Sequence, residues 1–260
     1  MENSSERHVI AVVNQKGGVG KTTTAINLAT AMAACRKKTL VIDLDPQGNA
    51  STGLGIAPND RSPSTYDLLL GNASLKGCEK KTKVPGLSIL PATVDLSAAD
   101  LEIADFEKRE FILKNAIDQF SNEYDYVFID CPPSLGLLTV NALVAAKSVL
   151  VPLQCEFFAL EGLTHLLKTV ERVQGNLNPD LGINGIVLTM YDRRNNLTQQ
   201  IEDDVRGCLK DYVYKTVIPR NVRISEAPSH GKPAMIYDFR CPGSQAYIHL
   251  AREVINKKAA

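Results

Sequence analysis

Short apolar runs return along the chain at intervals that leave room for a helix between them. The first, His8-Val9-Ile10-Ala11-Val12-Val13, is mostly β-branched, the pattern of a strand covered on both faces. Thr39–Asp43, Leu87–Leu90, Tyr126–Asp130, Ser148–Pro152, Gly185–Thr189 and Tyr214–Ile218 repeat it. Between the runs, apolar residues recur at helical spacing. Ala25, Leu28, Ala29, Met32 and Ala33 make one such stripe, and Leu160, Leu163, Leu166, Leu167, Val170 and Val173 a second. The second has His165, Lys168, Glu171 and Arg172 off its apolar side and reads as a core face without chemistry. Apolar strands separated by helices predict an α/β fold, a mostly parallel twisted sheet with helices on both faces. No repeat or linker divides the 260 residues, so a single domain over 1–260 is expected, with flexible ends at 1–7 and 257–260. Residues 56–86, interrupted by Pro58, Pro63, Gly71, Gly77 and Pro85, read as a surface excursion.

The first run opens into Asn14-Gln15-Lys16-Gly17-Gly18-Val19-Gly20-Lys21-Thr22-Thr23-Thr24. Strand, glycine-rich turn and helix point a helix N-terminus at an anion. The end of the ordinary phosphate-binding loop is intact: Gly20, Lys21 to reach the β/γ-phosphates, and Thr22 to bind magnesium directly. Its first glycine is replaced by Asn14 or Gln15, and a second lysine, Lys16, stands near the front. This is the deviant Walker A form, KGGxGKT. The extra lysine has the reach to contact the phosphates of a nucleotide held by a partner subunit, so a dimerising nucleoside-triphosphate switch is expected. Gly17, Gly18, Val19 and Thr23 complete the expected nucleotide contacts.

In such folds ligands sit at the carboxyl ends of strands, which makes strand-ending acids the informative ones. The second run leads into Asp43-Leu44-Asp45-Pro46-Gln47-Gly48-Asn49, and the fourth ends at Asp130 before Cys131-Pro132-Pro133-Ser134. Alternation puts Asp43 and Asp45 on one side of the emerging chain. An apolar strand ending in aspartate holds magnesium directly or through water. Phosphoryl transfer depends on positioning and charge stabilisation. Asp45 is therefore assigned to orient the attacking water, with Asp43 structural or in the metal's outer shell. Asp130 is an outer-shell magnesium group, and Lys16 and Lys21 neutralise developing charge. A strand-terminal aspartate alone is as readily a turn former; two such ends beside this loop change the reading.

Lysine plus arginine and aspartate plus glutamate both number 29, so bulk charge gives no pull toward nucleic acid and a local patch would be needed. The residues from Arg193 to Arg223 are biased toward basic, but Glu202, Asp203, Asp204 and Asp211 dilute them. The six cysteines and four histidines are scattered without metal-ligand spacing, as expected of free thiols in a reducing cytoplasm. The first residues lack a signal peptide's apolar core, and no apolar run approaches the ~18 residues of a membrane span.

From His8 to Asn256 the chain resembles the ParA/Soj family of DNA-partition ATPases, in the MinD-like branch of P-loop ATPases. Asn14–Thr24, Asp43–Asn49 and Asp130–Ser134 match the wider superfamily. Gln154–Gly162 (QCEFFALEG), Thr189–Asp192 (TMYD) and Val217–Lys232 (VIPRNVRISEAPSHGK) match the narrower Soj-type subgroup. The resemblance implies one P-loop ATPase domain using ATP and Mg2+, cytoplasmic and associated with the nucleoid, without stable membrane association. It implies that Met190, Pro219, Arg220 and Asn221 line the adenine pocket and that Lys16 crosses an ATP-sandwich homodimer. Asp45 becomes the hydrolytic aspartate, and Arg194 and Arg223 a patch for nonspecific double-stranded DNA. A ParB/Spo0J-type centromere-binding protein would stimulate hydrolysis. Three rivals stand beside this reading. A MinD-like membrane-cycling ATPase needs an amphipathic C-terminal helix, an iron protein needs paired cluster cysteines, and a small-molecule ligase would use the same loop.

Overall fold

The computed structural model describes residues 7–119 and 123–258. Seven strands form one sheet: β1 (His8–Val12), β2 (Thr39–Asp43), β3 (Lys80–Lys81), β4 (Leu87–Leu90), β5 (Tyr126–Asp130), β6 (Ser148–Gln154) and β7 (Gly182–Thr189), in the order β3-β4-β2-β5-β1-β6-β7. All neighbours pair in parallel except β3, a two-residue antiparallel edge on β4. The expected α/β sheet with helices on both faces is present.

The helices follow in chain order: α1 (Lys21–Ala34), α2 (Asn49–Gly53), α3 (Thr65–Leu69), α4 (Leu75–Cys78), α5 (Leu96–Glu102), α6 (Ile112–Asp118), α7 (Leu137–Ala145), α8 (Ala159–Asn176), α9 (Asn196–Leu209), α10 (Val222–Glu226), α11 (Ala234–Tyr237) and α12 (Pro242–Lys258). Successive side chains of a strand point to opposite faces, so each central strand feeds two cores. Ile10, Val12, Val41, Tyr126 and Phe128 pack with Ala25, Leu28, Ala29 and Met32 of α1 and Tyr247, Leu250, Ala251 and Val254 of α12. Val9, Ala11, Leu40, Ile42, Val127 and Ile129 face α7 and the α8 residues Leu163, Leu166, Val170 and Val173. The α8 stripe is thus a core face, each fully buried side chain stabilising by about 1.5–3 kcal/mol.

Two expectations need correction. Tyr214–Ile218 is not a strand. Tyr214 and Ile218 donate backbone hydrogen bonds to Ile186 and Leu188 carbonyls of β7 at 2.9 and 2.8 Å, but the chain between them leaves the ladder. There the Glu253 carboxylate of α12 accepts from the backbone N–H groups of Lys215 and Thr216 at 2.9 and 2.8 Å, replacing sheet partners. Residues 56–86 are more than a surface excursion. Arg61, Ser64, Thr65, Leu68, Leu69, Leu75 and Cys78 are buried within it, and it contributes β3. The last helix, α12, runs through Lys258, and Lys257 Nζ donates to the Asn184 carbonyl at 2.8 Å. Of the expected flexible N-terminus, residues 1–6 lie outside the described residues.

Glu79 fastens the edge. Its carboxylate accepts from Lys81 at 2.6 Å, Tyr124 at 2.7 Å and Ser88 at 2.9 Å, with Lys76 at 3.0 Å. Burial disfavours its charge, but these partners outweigh it and bring its pKa down from 4.5 to about 2. A depressed carboxylate contributes stability above its unfolded pKa and loses it as pH falls through the folded one. Glu79→Gln should therefore lower unfolding stability at pH 7 by about 1–3 kcal/mol, and the deficit should shrink as pH drops from 4.5 toward 2. Denaturant unfolding of both proteins at pH 7 and near the folded pKa checks this; a constant difference would count against it.

Candidate functional site

The parallel register brings the candidate acids together. Asp43 stands opposite Asp130 across the β2–β5 pair, and Val12, the last residue of β1, stands opposite Asp130 on the other side. β1 therefore delivers the phosphate-binding loop to the strand ends where both acids emerge.

Within the loop, Gly18 and Gly20 take φ angles of 75° and 89°, a left-handed turn that glycine adopts without a Cβ penalty. Gly20 is the N-cap of α1, which begins at Lys21. Asn14, one residue ahead of the position where the ordinary pattern has its first glycine, is buried and works as a clasp. Its Nδ2 donates to the Pro152 carbonyl at 2.8 Å, and its Oδ1 accepts from the Lys16 N–H at 3.0 Å. Thr189 at the end of β7 donates to the Val19 carbonyl at 2.8 Å. The loop is thus pinned to β6 and β7, while Gly17 and Gly18 stay exposed.

The two lysines differ. Lys21 is buried and folds back, its Nζ donating to the Lys16 carbonyl at 3.0 Å. Burial lowers its pKa, opposed by Asp130, Cys131 and Asp45, which hold the charge on. Lys16 points outward and its ammonium pairs with Glu156, in the loop after β6, both side chains being 47% and 41% exposed. Sequence reading did not single out Glu156; only the fold carries it beside a residue 140 positions earlier.

Behind the loop the acids are crowded. Asp43 is fully buried and accepts from both the N–H and the hydroxyl of Ser51 at 2.8 and 2.7 Å, and from the Asp45 N–H at 3.3 Å. Burial raises its pKa to about 6 in spite of these bonds. Asp130 is raised well above the carboxylate range by burial and by the Asp43 charge, with Thr22 pulling weakly the other way. Neither Asp130 oxygen meets a partner in hydrogen-bonding geometry. Asp45 is 8% exposed, one oxygen accepting from the Gln47 N–H at 3.0 Å.

A buried, unpartnered carboxylate beside two more acids and a threonine hydroxyl fits a divalent cation, which would supply the missing charge. Among the described residues no group of three or more His, Cys, Asp or Glu side chains forms a metal cage. Magnesium keeps several waters and takes few direct protein ligands. Thr22, whose hydroxyl acts on Asp130, would be the residue to ligate such an ion, with Asp43, Asp45 and Asp130 behind.

The expected adenine residues come together beyond β7. Met190 has a φ of 49°, turning the chain so that the Tyr191 N–H donates to the Ile218 carbonyl at 2.9 Å. Arg220 N–H donates back to the Tyr191 carbonyl at 3.1 Å, setting Pro219–Asn221 alongside Met190. Just past this turn, Arg194 is 90% exposed and holds Asp192 with Nε and Nη2, both at 3.1 Å. Arg223, 54% exposed on α10, pairs with Glu226 at 3.0 Å and Asp238 at 3.6 Å. Both candidate DNA contacts are surface arginines, and each already has an acidic neighbour.

The AAA domain family model matches residues 7–183, more than half of the chain. Chromosome partitioning protein ParA of Caulobacter vibrioides is 58% identical over 252 residues, 96% of this chain and 94% of its own. Chromosome-partitioning ATPase Soj of Treponema pallidum is 52% identical over 246 residues, 95% of this chain and 96% of its own. Among solved structures, cobyrinic acid a,c-diamide synthase of Mycobacterium smegmatis, with bound ATP analogue and magnesium, is similar with a TM-score of 0.86 at 35% identity. That match covers 98% of this chain and 97% of the synthase. With a phosphate loop, a magnesium-suited acid cluster and relatives of this identity over nearly its whole length, the chain belongs to the ParA/Soj family of P-loop ATPases, working with ATP and Mg2+.

Proposed function

We propose that this ATPase is a DNA-partition switch whose ATP-bound homodimer binds double-stranded DNA without sequence preference and lets go after hydrolysis. The observation that carries the reading is the division of labour between the two loop lysines. Lys21 is folded into its own loop, whereas Lys16 projects outward on a weak, solvent-exposed ion pair. Exposed pairs of this kind contribute about 0–1 kcal/mol, so Lys16 is free to exchange Glu156 for a phosphate on a second copy.

Lys21 and the loop N–H groups hold the β/γ-phosphates, and the α1 N-terminus faces the same charge. Magnesium, held by Thr22 with Asp43, Asp45 and Asp130 behind, would supply positive charge to the phosphates. Asp45 orients the attacking water, held by the turn that its own oxygen forms with Gln47. Lys16 of the opposite copy adds positive charge that a monomer lacks, which makes hydrolysis depend on dimer formation. Two-fold closure doubles the Arg194 and Arg223 patch on one surface. Arginine–phosphate contacts give affinity without sequence information, so binding is nonspecific and salt-sensitive. A centromere-binding protein of the ParB type accelerates turnover, and the protein works in the cytoplasm on the nucleoid.

The rival readings fare less well on particular observations. A membrane-cycling ATPase needs an apolar stripe on its last helix, but Tyr247, Leu250, Ala251 and Val254 of α12 are buried against α1. Among the described residues no helix is long and apolar enough to cross a membrane. An iron protein needs paired cluster cysteines, and Cys131, the cysteine that abuts Asp130, is fully buried. The ligase reading draws on the synthase likeness at 35% identity, against 58% for the partition relative.

Lys21→Ala should lose nucleotide binding, while Lys16→Ala should bind ATP as a monomer, checked by nucleotide titration and light scattering. Normal ATP-dependent dimers of Lys16→Ala would sink the cross-dimer reading. Asp45→Ala should stop turnover yet accumulate ATP-dependent dimers; an ATP-binding mutant that stays monomeric would remove Asp45 from this role.

DNA binding should appear with ATP and be lost with ADP or without nucleotide. Replacing Arg194 or Arg223 should weaken it for all duplexes alike and flatten its log–log salt slope by about one unit, or about two if both copies of the dimer touch DNA. An Arg194→Glu/Arg223→Glu double mutant that dimerises and still binds unrelated duplexes with wild-type affinity would exclude this surface.

A further inference from the structure

Arg61 lies in the segment that sequence reading took for a surface excursion, yet it is only 8% exposed. A buried cation is costly unless it is paired or fully hydrogen-bonded. No acidic side chain among the described residues pairs with Arg61, and its partners are all neutral. Nε donates to the Ile56 carbonyl at 3.3 Å, Nη1 to the Ala92 carbonyl at 3.4 Å, and Nη2 to Thr52 Oγ1 at 2.7 Å and the Ile56 carbonyl at 3.2 Å. The planar fork thus bridges α2, the chain after it and the segment after β4, a geometry lysine cannot reproduce.

What lies under the guanidinium is the loop that carries Asp45. Gly48 has a φ of 61°, and a Cβ built there would collide with Arg61 Nη1 and meet the Ala92 carbonyl at 3.1 Å. The Thr52 hydroxyl that accepts from Arg61 donates in turn to the Gly48 carbonyl at 3.1 Å, and the Gly48 N–H donates to the Asp45 carbonyl at 2.9 Å. On the inner side, Ser51 holds Asp43 and accepts from the Ala92 N–H at 3.0 Å. The turn Asp45-Pro46-Gln47-Gly48 is therefore clamped between Ser51 and Arg61, with Ala92 as the shared anchor.

We infer that Arg61 is a positioning residue for hydrolysis: through Thr52 and Gly48 it fixes the turn that aims Asp45 at the attacking water. The inference rests on the role proposed for Asp45. A misplacement of order 1 Å in a catalytic group costs up to about a hundredfold in rate, so loosening the back of this turn should appear in kcat rather than in ATP affinity.

The test compares wild type, Arg61→Met, Arg61→Lys, Thr52→Val and Asp45→Ala for kcat, KM for ATP and thermal unfolding. Arg61→Met should lower kcat about tenfold or more with KM within about twofold, and Arg61→Lys should recover only part of the loss. Thr52→Val, which leaves Arg61 in place and breaks the relay to Gly48, should shift kcat in the same direction; it serves if Arg61→Met does not fold. A folded Arg61→Met, or failing that Thr52→Val, with lowered thermal stability but wild-type kcat would show a purely structural role and overturn the inference. If Asp45→Ala turns over normally, the Asp45 reading falls and this inference with it. If Asp45→Ala is inactive while Arg61→Met is not impaired, only this inference falls.

Discussion

Three carboxylates crowd the ends of two adjacent strands, and Asp43 and Asp130 have no exposure to water at all. Burial pushes the pKa of both upward and the Asp43 and Asp45 charges push Asp130 further, a charge arrangement that a fold tolerates only where something compensates it. Part of the compensation is internal. Ser51 gives Asp43 two hydrogen bonds, and Lys21 brings a buried ammonium within reach of Asp130 and Asp45. A divalent cation would supply the rest, since neither Asp130 oxygen meets a partner in hydrogen-bonding geometry. The site's geometry follows from that demand: the parallel register that aligns Asp43 with Asp130, the clasp of Asn14 that holds the loop, and the start of α1 at Lys21.

This centre was largely legible in the sequence because it is local. The loop, its strand and its helix are contiguous, and an apolar strand ending in aspartate announces where its charge will emerge. Six of the seven expected strands formed for the same reason, each being an apolar run that two helical layers could cover. The failures are non-local. Tyr214–Ile218 has strand composition, but Glu253, from a helix almost 40 residues later, takes its N–H groups. β3 is two lysines long, with no apolar pattern to read, and exists because Glu79 gathers Lys76, Lys81, Tyr124 and Ser88 at one edge.

Arg61 and Glu156 were invisible for a related reason. Arg61 is a charged residue in a segment broken by proline and polar residues, Glu156 one acid within the QCEFFALEG stretch, and only contacts far along the chain give either a position. Arg61 reaches Ala92 across 31 residues and Glu156 reaches Lys16 across 140. Proline and glycine punctuation correctly marked 56–86 as a departure from the strand–helix rhythm. Punctuation reports only where regular structure stops, and here the departing chain folds back to cover α2 and the turn after β2.

Lys16 and Lys21 are chemically identical and five residues apart, and burial separates their roles. Lys21 is enclosed, its ammonium bonded to the loop's own backbone, so its charge is spent within one subunit. Lys16 is half exposed, and its one ionic partner is itself half exposed. Water screens such a pair to about 1 kcal/mol or less, whereas a charge-assisted bond to phosphate in a closed, drier interface is worth more. In the proposed dimer the exchange would be downhill only where the second copy excludes water from the loop. Lys16 tethered loosely to Glu156 in a monomer would then serve catalysis only once two copies had closed, which would tie the chemistry to assembly without any additional moving part.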